Sequence, residues 1–232
     1  MAELDGMVAV VTGTAQGIGQ AVAKSVRDAG AEVHEVDKDT VDLSDSAATA
    51  DFFAAVGAVD ILVNVAGGVC GQTHTPIDEV TDEGWNAVLD ANLRTTFNCT
   101  RAASKTMKER GYGRIVNISS GAGRSVSLTG IQAYTSAKAG QIGFTRQTAF
   151  ELGQYGITVN CIAPGFVLSN PTTQKQWESY GEAGQQALLA NIATRRTGTP
   201  EDIARGVRFF IAPDAGWVSG QILSIDGGHS LF

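Results

Sequence analysis

Cysteine is scarce in this sequence. Its three residues, Cys70, Cys99 and Cys161, are odd in number and far apart, which speaks against a disulfide framework and fits reduced intracellular thiols. Histidine is equally sparse. His34, His74 and His229 stand at no zinc-binding spacing with one another or with the cysteines, so no metal site is expected. Positive charge is in deficit: 17 Lys and Arg stand against 24 Asp and Glu, for a net charge of −7. A nucleic-acid binder shows a basic excess or stripe; this chain has neither, and its net charge opposes phosphate backbones. No apolar run approaches the roughly 18 residues of a membrane-spanning helix. The opening MAELDGMVAVV lacks the basic region and the apolar length of a signal peptide. Linkers, repeats and low-complexity segments are also missing. These absences leave the expectation of a cytoplasmic protein with one domain over residues 1–232.

What is plentiful is glycine, 28 residues, set mostly where strands hand over to helices. Hydrophobic residues make up 43% of the chain and charged residues 18%, enough to build a large core. Short β-rich runs alternate with longer helical patterns. The strand candidates are 7–12, 32–37, 40–43, 60–66, 114–119, 157–163 and 222–226. Several are nearly continuous apolar runs, as in strands covered on both faces of a parallel sheet. Helical stretches are expected over 18–29, 45–56, 81–110, 133–155 and 201–211. This alternation predicts a doubly wound α/β sheet of the Rossmann type with about seven strands. Ligands bind such sheets beyond the carboxyl ends of the strands. Between Asp37 and Thr40 there is no room for the crossover of about ten residues that parallel neighbours require. A shortened sheet edge is expected there, with 40–43 either vestigial or not a full strand.

The first strand runs into Thr12-Gly13-Thr14-Ala15-Gln16-Gly17-Ile18-Gly19. Glycines permit a tight turn and close approach to a pyrophosphate, and the helix start that follows offers free N–H groups. The spacing is G-x-x-x-G-x-G, not the common G-x-G-x-x-G. Asp37, ending the next strand, suits the ribose hydroxyls of NAD and would repel the 2′-phosphate of NADP, although Lys38 beside it softens that repulsion. NAD is the expected cofactor, ahead of NADP.

Tyr134 and Lys138 lie four residues apart on one predicted helix and so share a face. An ammonium there favours phenolate and lowers a pKa that is ordinarily about 10. A phenol so tuned is a general base for alcohol oxidation and a general acid for ketone reduction. Ser119 and Ser120 end a strand where ligands bind, and a serine hydroxyl there can hold the substrate oxygen.

In this order the motifs resemble those of the short-chain dehydrogenase/reductase family, along essentially the whole chain. Thr12-Gly-x-x-x-Gly-Ile-Gly19 resembles the cofactor turn, Asp42-Leu43 the adenine-contacting pair, Asn64-Val65-Ala66-Gly67 the Asn-Asn-Ala-Gly segment, and Asn92-Leu93 the helix asparagine. Ser120, Tyr134 and Lys138 resemble the catalytic set. Pro164-Gly165-Phe-Val-Leu-Ser169 resembles the segment that cradles the nicotinamide, and Gly220-Gln221 through Asp226-Gly227-Gly228 the C-terminal signature.

The resemblance implies roles. Tyr134 exchanges the proton with the substrate oxygen. Lys138 binds the nicotinamide ribose and lowers the Tyr134 pKa. Ser120 polarises the carbonyl, and Asn92 anchors a water that links Lys138 to solvent. Gly13, Gln16, Gly17, Ile18 and Gly19 line the pyrophosphate turn, while Asp37 takes the adenosine ribose. Asn64, Ala66 and Gly67 flank the adenosine half, with Asp42 and Leu43 at the adenine. Pro164, Gly165, Val167 and Ser169 hold the nicotinamide, the last two at its carboxamide. Three departures from the family pattern stand out. Val65 replaces a second asparagine. The Ser120–Tyr134 interval is one residue longer than usual, leaving Ser119 and Ser120 as alternatives with Ser120 favoured. A helix is missing after Asp37.

The expected reaction moves a hydride between NAD(H) and a small secondary alcohol or ketone, such as a hydroxy ketone, polyol or hydroxy acid. The alternatives are an NADPH-dependent 3-oxoacyl-thioester reductase and a non-catalytic dinucleotide-binding sensor. An irregular substrate lid is expected over 170–198, carrying Thr172, Thr173, Gln174, Gln176, Trp177 and Tyr180. Arg124, Arg195 and Arg196 are candidate clamps for an anionic substrate. Cys70, Gln72 and His74 are further pocket candidates. Apolar residues on more than one helix face, among them Phe97, Ile142, Phe144 and Phe150, point to partner contacts. The resemblance implies a homotetramer, with a dimer as the structural alternative.

Overall fold

The computed structural model describes residues 2–127 and 129–231. Six strands form one parallel sheet in the order β2-β1-β3-β4-β5-β6. They are β1 Val8–Thr12, β2 Glu32–Val36, β3 Ile61–Asn64, β4 Gly113–Ile118, β5 Ile157–Pro164 and β6 Ile222–Ile225. The helices are α1 Gly17–Asp28, α2 Ser46–Val56, α3 Asp82–Leu89, α4 Thr95–Arg110, α5 Gln132–Leu152, α6 Pro171–Ser179, α7 Gly181–Ala190 and α8 Pro200–Ile211. Both faces of the sheet are covered, which is why β3, β4 and β5 are buried at every position. Alternate β1 residues feed two separate cores. Ala9 and Val11 pack with Val22 and Val26 of α1 and with Ile203 and Phe210 of α8. Val10 packs on the other face with Phe53, Cys99, Met107 and Leu152.

The sheet has six strands, where about seven are expected from the sequence. Residues 40–43 are not a strand. The Asp37 carbonyl instead accepts the N–H groups of Thr40 (2.9 Å) and Val41 (3.0 Å) in a turn, and Asp45 caps α2 through the N–H groups of Ala47 and Ala48. One crossover through α2 therefore joins β2 to β3, and β2 is the sheet edge.

The helix expected over 81–110 is broken by a π-helical turn, Asp90–Arg94, between α3 and α4. The 170–198 segment, expected to be irregular, instead carries the helices α6 and α7. Asn170 starts α6 with a reciprocal capping box to Thr173 and Pro171 at its first position, a strong helix start.

The order of strands reverses between β1 and β3. The turns after these two strands and after β4 and β5 therefore open on one crevice.

Candidate active site

That crevice is a cleft of about 1660 Å³, more than a small ligand alone requires. Its walls include Gly13, Gln16, Ile18 and Gly19 of the glycine turn, Asp37, Asp42 and Leu43 after β2, and Ala66 and Gly67 after β3. Ser120, Tyr134 and Lys138, with Pro164, Gly165, Val167 and Ser169, also face it. The sequence candidates Gly17, Asn64 and Asn92 do not line the cleft. Gly17 packs against the segment before α6, where a Cβ would lie 2.5 Å from the Ser169 carbonyl oxygen.

Asn64 belongs to the core. Its Nδ2 donates to Asn117 Oδ1 (2.8 Å) and Thr100 Oγ1 (3.2 Å). Asn64 and Asn117 stand side by side in the β3–β4 register, so the strand pleat aims Asn64 away from the cleft. Asn92 is fully buried within the π-helical turn. Its Nδ2 donates to the carbonyls of Gly68 (2.8 Å) and Val88 (2.7 Å), and its Oδ1 accepts from Gly68 N (3.1 Å). The side chain therefore pins the loop after β3. The Asn92 carbonyl accepts from Thr96 Oγ1 at 2.8 Å, and Gln141 Nε2 of α5 donates to that same hydroxyl at 2.6 Å.

The glycine turn fits a dinucleotide. Asp45, Thr81, Asn170 and Thr199 cap α2, α3, α6 and α8 with side-chain bonds. The start of α1, like those of α4, α5 and α7, has no side-chain cap; it has no acidic residue in its first turn and faces the cleft. Its free N–H groups and the positive end of the helix dipole suit a pyrophosphate. Thr12, to which sequence reasoning gave no role, joins this turn to its neighbour: its Oγ1 accepts the N–H groups of Val65 (3.0 Å) and Ala66 (2.9 Å). Asp37 accepts from Ala15 N (3.0 Å) and Lys38 N (2.7 Å), so its carboxylate is fixed beside the same turn. Asp42 turns toward the N–H and hydroxyl of Ser44, which hold its pKa below the ordinary value.

The two serines part company. Ser119 is buried, and its hydroxyl donates to the Lys138 carbonyl (2.8 Å). Ser120 accepts from Ala122 N (3.1 Å) and lies close enough to the Tyr134 phenol to draw its pKa down. Lys138 is 4% exposed; its Nζ donates to the Ile118 carbonyl (2.9 Å) and lies 5.7 Å from the Tyr134 ring centre. Burial pulls the Lys138 pKa down to about 8, and the Cys161 thiol lies close enough to act against that shift. The Tyr134 phenol is not lowered, as the sequence led us to expect, but raised. Burial dominates, and only Ser120 acts downward, because the ammonium is turned toward Ile118.

The arginine candidates are held outside the cleft. Arg124 donates to Ser224 Oγ (2.8 Å) and the Ile222 carbonyl (3.2 Å), Arg195 to the Ala190 carbonyl, and Arg196 to both Asp202 oxygens. Cys70, Gln72 and His74 do line it, as do Thr172, Thr173 and Gln176 of α6. Trp177 and Tyr180 instead pack their rings 5.9 Å from that of Phe166. His229 and Ser230 were not foreseen on the cleft wall. The Asp226 carboxylate puts them there by accepting the N–H groups of Gly228 (3.0 Å) and Ser230 (2.9 Å). Among the described residues, no group of three or more His, Cys, Asp or Glu could hold a metal.

A family model described as enoyl-(acyl carrier protein) reductase matches residues 40–230. The chain is 36% identical to (2S)-[(R)-hydroxy(phenyl)methyl]succinyl-CoA dehydrogenase subunit BbsD of Thauera aromatica, over 97% of each chain. It is 31% identical to 3-oxoacyl-[acyl-carrier-protein] reductase FabG of Vibrio cholerae, over 97% of this chain and 98% of the relative. A solved structure from Agrobacterium tumefaciens, provisionally described as a 2-deoxy-D-gluconate 3-dehydrogenase with bound NADP, superposes with a TM-score of 0.88. It is 34% identical, and the match covers 98% of this chain and 97% of that one.

Proposed function

Because the chain belongs to the short-chain dehydrogenase/reductase family, oxidoreductases of CH–OH groups, we propose that it works between NAD(H) and a small secondary alcohol or ketone. The observation that carries this reading is the meeting of Ser120, Tyr134 and Lys138 on one cleft with an uncapped helix start. Bound NAD(H) supplies or accepts the hydride. The protein positions the partners and handles the proton.

Tyr134 Oη delivers a proton to the substrate oxygen in reduction and withdraws it in oxidation. Ser120 Oγ, anchored by Ala122 N, steadies that oxygen. The ammonium of Lys138 holds the nicotinamide ribose. Burial keeps the phenol protonated at neutral pH, which suits the acid role; oxidation therefore gains as pH rises. The α6–α7 segment, within 170–198, serves as the substrate lid. Tyr134→Phe is expected to cut turnover by about 10³-fold or more while NADH still binds by fluorescence titration. Substantial turnover in that variant would remove the proton-transfer assignment, and absent turnover of every alcohol and ketone by the parent chain would favour a dinucleotide-binding sensor.

We assign NAD over NADP because the fixed Asp37 carboxylate opposes a 2′-phosphate. Asp37→Ala should narrow the ratio of kcat/KM with NADH to that with NADPH by about tenfold; an unchanged ratio places the ribose contact elsewhere. The 3-oxoacyl-thioester reading draws on the FabG relative. The acidic balance of the chain and the lack of any arginine on the cleft wall speak for a small substrate instead.

The proposed assembly is a homotetramer. It rests on exposed apolar side chains on two faces: Phe97 and Phe150 on α4 and α5, and Phe209, Trp217 and Leu223 near α8 and β6. No helix among the described residues is long and apolar enough to cross a membrane. The three free thiols suit a reducing compartment such as the cytoplasm.

A further inference from the structure

The cleft wall mixes apolar residues, among them Val126, Ile131, Phe166, Leu188 and Ile192, with uncharged polar ones. Gln72, Ser125, Ser127, Thr129, Thr172 and Gln176 are among the latter. The cleft's lysines are Lys138, already bonded to Ile118, and Lys38, beside Asp37 and within electrostatic reach of Cys70. A carboxylate or phosphate on the substrate would meet no arginine there.

His74 adds a directional group. Its Nδ1 lies 3.2 Å from the Gly130 carbonyl oxygen. A carbonyl only accepts, so Nδ1 carries the proton and Nε2 of the neutral ring keeps a lone pair. The ring is held in place. Gly130 has φ +67°, and a Cβ there would lie 2.5 Å from Nδ1, so glycine is what lets the two loops close around the imidazole. A second bond joins the same loops, from Gln132 Nε2 to the Thr75 carbonyl at 2.9 Å. The residue lines the same cleft as Ser120 and Tyr134.

We propose that the substrate is an uncharged hydroxy ketone, or the diol it is reduced to, and that His74 Nε2 accepts a hydrogen bond from the hydroxyl that does not react. This rests on the oxidoreductase reading above. Selectivity follows because an analogue without that hydroxyl forgoes the bond to Nε2. The balance of the reaction is unchanged: NADH gives hydride to the ketone carbon, Tyr134 gives the proton to its oxygen, and the second hydroxyl is neither oxidised nor reduced.

The test uses three ketones of similar size: 3-hydroxybutan-2-one, butan-2-one and the anion 3-oxobutanoate. kcat/KM is measured with NADH for the parent enzyme, His74→Leu and His74→Gln. Affinity of each ketone for the enzyme–NADH complex is read in parallel from cofactor fluorescence, so the inference is tested even if turnover is absent. The parent should prefer the hydroxy ketone over butan-2-one by about tenfold or more. His74→Leu should shrink that ratio at least about fivefold, and His74→Gln, which keeps an acceptor, should recover part of it. An equal fall on both neutral ketones would reduce His74 to a loop brace and overturn the inference. So would an undiminished ratio in His74→Leu, or a parent preference for 3-oxobutanoate, which would point to cationic recognition through His74 or His229. Loss of turnover with the binding preference intact would instead remove the oxidoreductase reading and keep only His74 as the acceptor of the ligand's hydroxyl.

Discussion

Lys138 is a lysine buried at a cost. Its Nζ has one protein acceptor, the Ile118 carbonyl, and desolvation brings its pKa from 10.5 to about 8. Between those values the unfolded chain holds a proton that the folded chain has released, so stability rises with pH across that window. Below about 8 both states are protonated and the burial cost is felt in full. Lys138→Met removes the charge and leaves the Ile118 carbonyl unpaired. At pH 7 the variant should be more stable by about 2 kcal/mol, the net of the lost burial cost and the lost bond, and inactive. Thermal melts should show the gain at pH 7 shrinking above pH 9; a lower melting point at pH 7 would contradict the burial cost. The Tyr134–Lys138 pairing is legible in the sequence, since residues four apart share a helix face. The upward shift of the phenol is not, because it is set by desolvation from distant elements.

Among the elements, the turn into α1 tolerates no side chain at its last glycine. A Cβ on Gly19 would lie 1.9 Å from the Gly13 carbonyl oxygen and 3.1 Å from Thr14 Cα. The obstacle is backbone, so it cannot swing aside. Gly19→Ala should lower NADH affinity by about tenfold or more while circular dichroism keeps its α/β signature; unchanged affinity would mean that the turn does not hold the dinucleotide. This glycine spacing is a local pattern and reads directly from the sequence. The π-helical turn at Asp90–Arg94 does not. It slips the ladder by one residue, which apolar periodicity over 81–110 averages away. It is sustained in part by a partner from elsewhere, Gly68 on the Asn92 side chain, beside the local bond from Thr96 to its carbonyl. The helical character of the 170–198 segment was missed for another reason. Its helices bury none of their residues fully, so they carry little of the amphipathic signal that marks a core helix, and the Asn170–Thr173 capping box was the available clue.

For the molecule as a whole, the buried polar side chains form a connected chain beneath the site. Asn64 donates to Asn117, Asn117 to Thr145, Gln141 to Thr96 and Thr96 to the Asn92 carbonyl, while the Thr145 hydroxyl reaches the Gln141 carbonyl. These bonds join β3 and β4 to α4 and α5. The opposite side of those helices bears the Phe97–Phe144 ring pair, with centres 6.3 Å apart, and Phe150, 87% exposed. If four copies assemble on this face, Phe150→Glu puts a charge into the contact. Size-exclusion chromatography with light scattering should then give a smaller species than the parent chain, with the α/β dichroism retained. A mass identical to that of the parent would exclude this face from the assembly.

From the sequence alone came the inventory and its order: a glycine turn after the first strand, an acid ending the second, and a serine, tyrosine and lysine ahead of the Pro164–Ser169 segment. Each is a short-range pattern, governed by backbone sterics, helix periodicity or strand alternation. Only the packed chain decided which of these groups face the cleft. It turned Asn64 and Asn92 inward, tied Arg124, Arg195 and Arg196 to partners elsewhere, ended the sheet at six strands among the described residues, and set His74 against the Gly130 carbonyl. Those outcomes depend on which strands and loops become neighbours and on how much water they exclude, and both are set by contacts far apart along the chain.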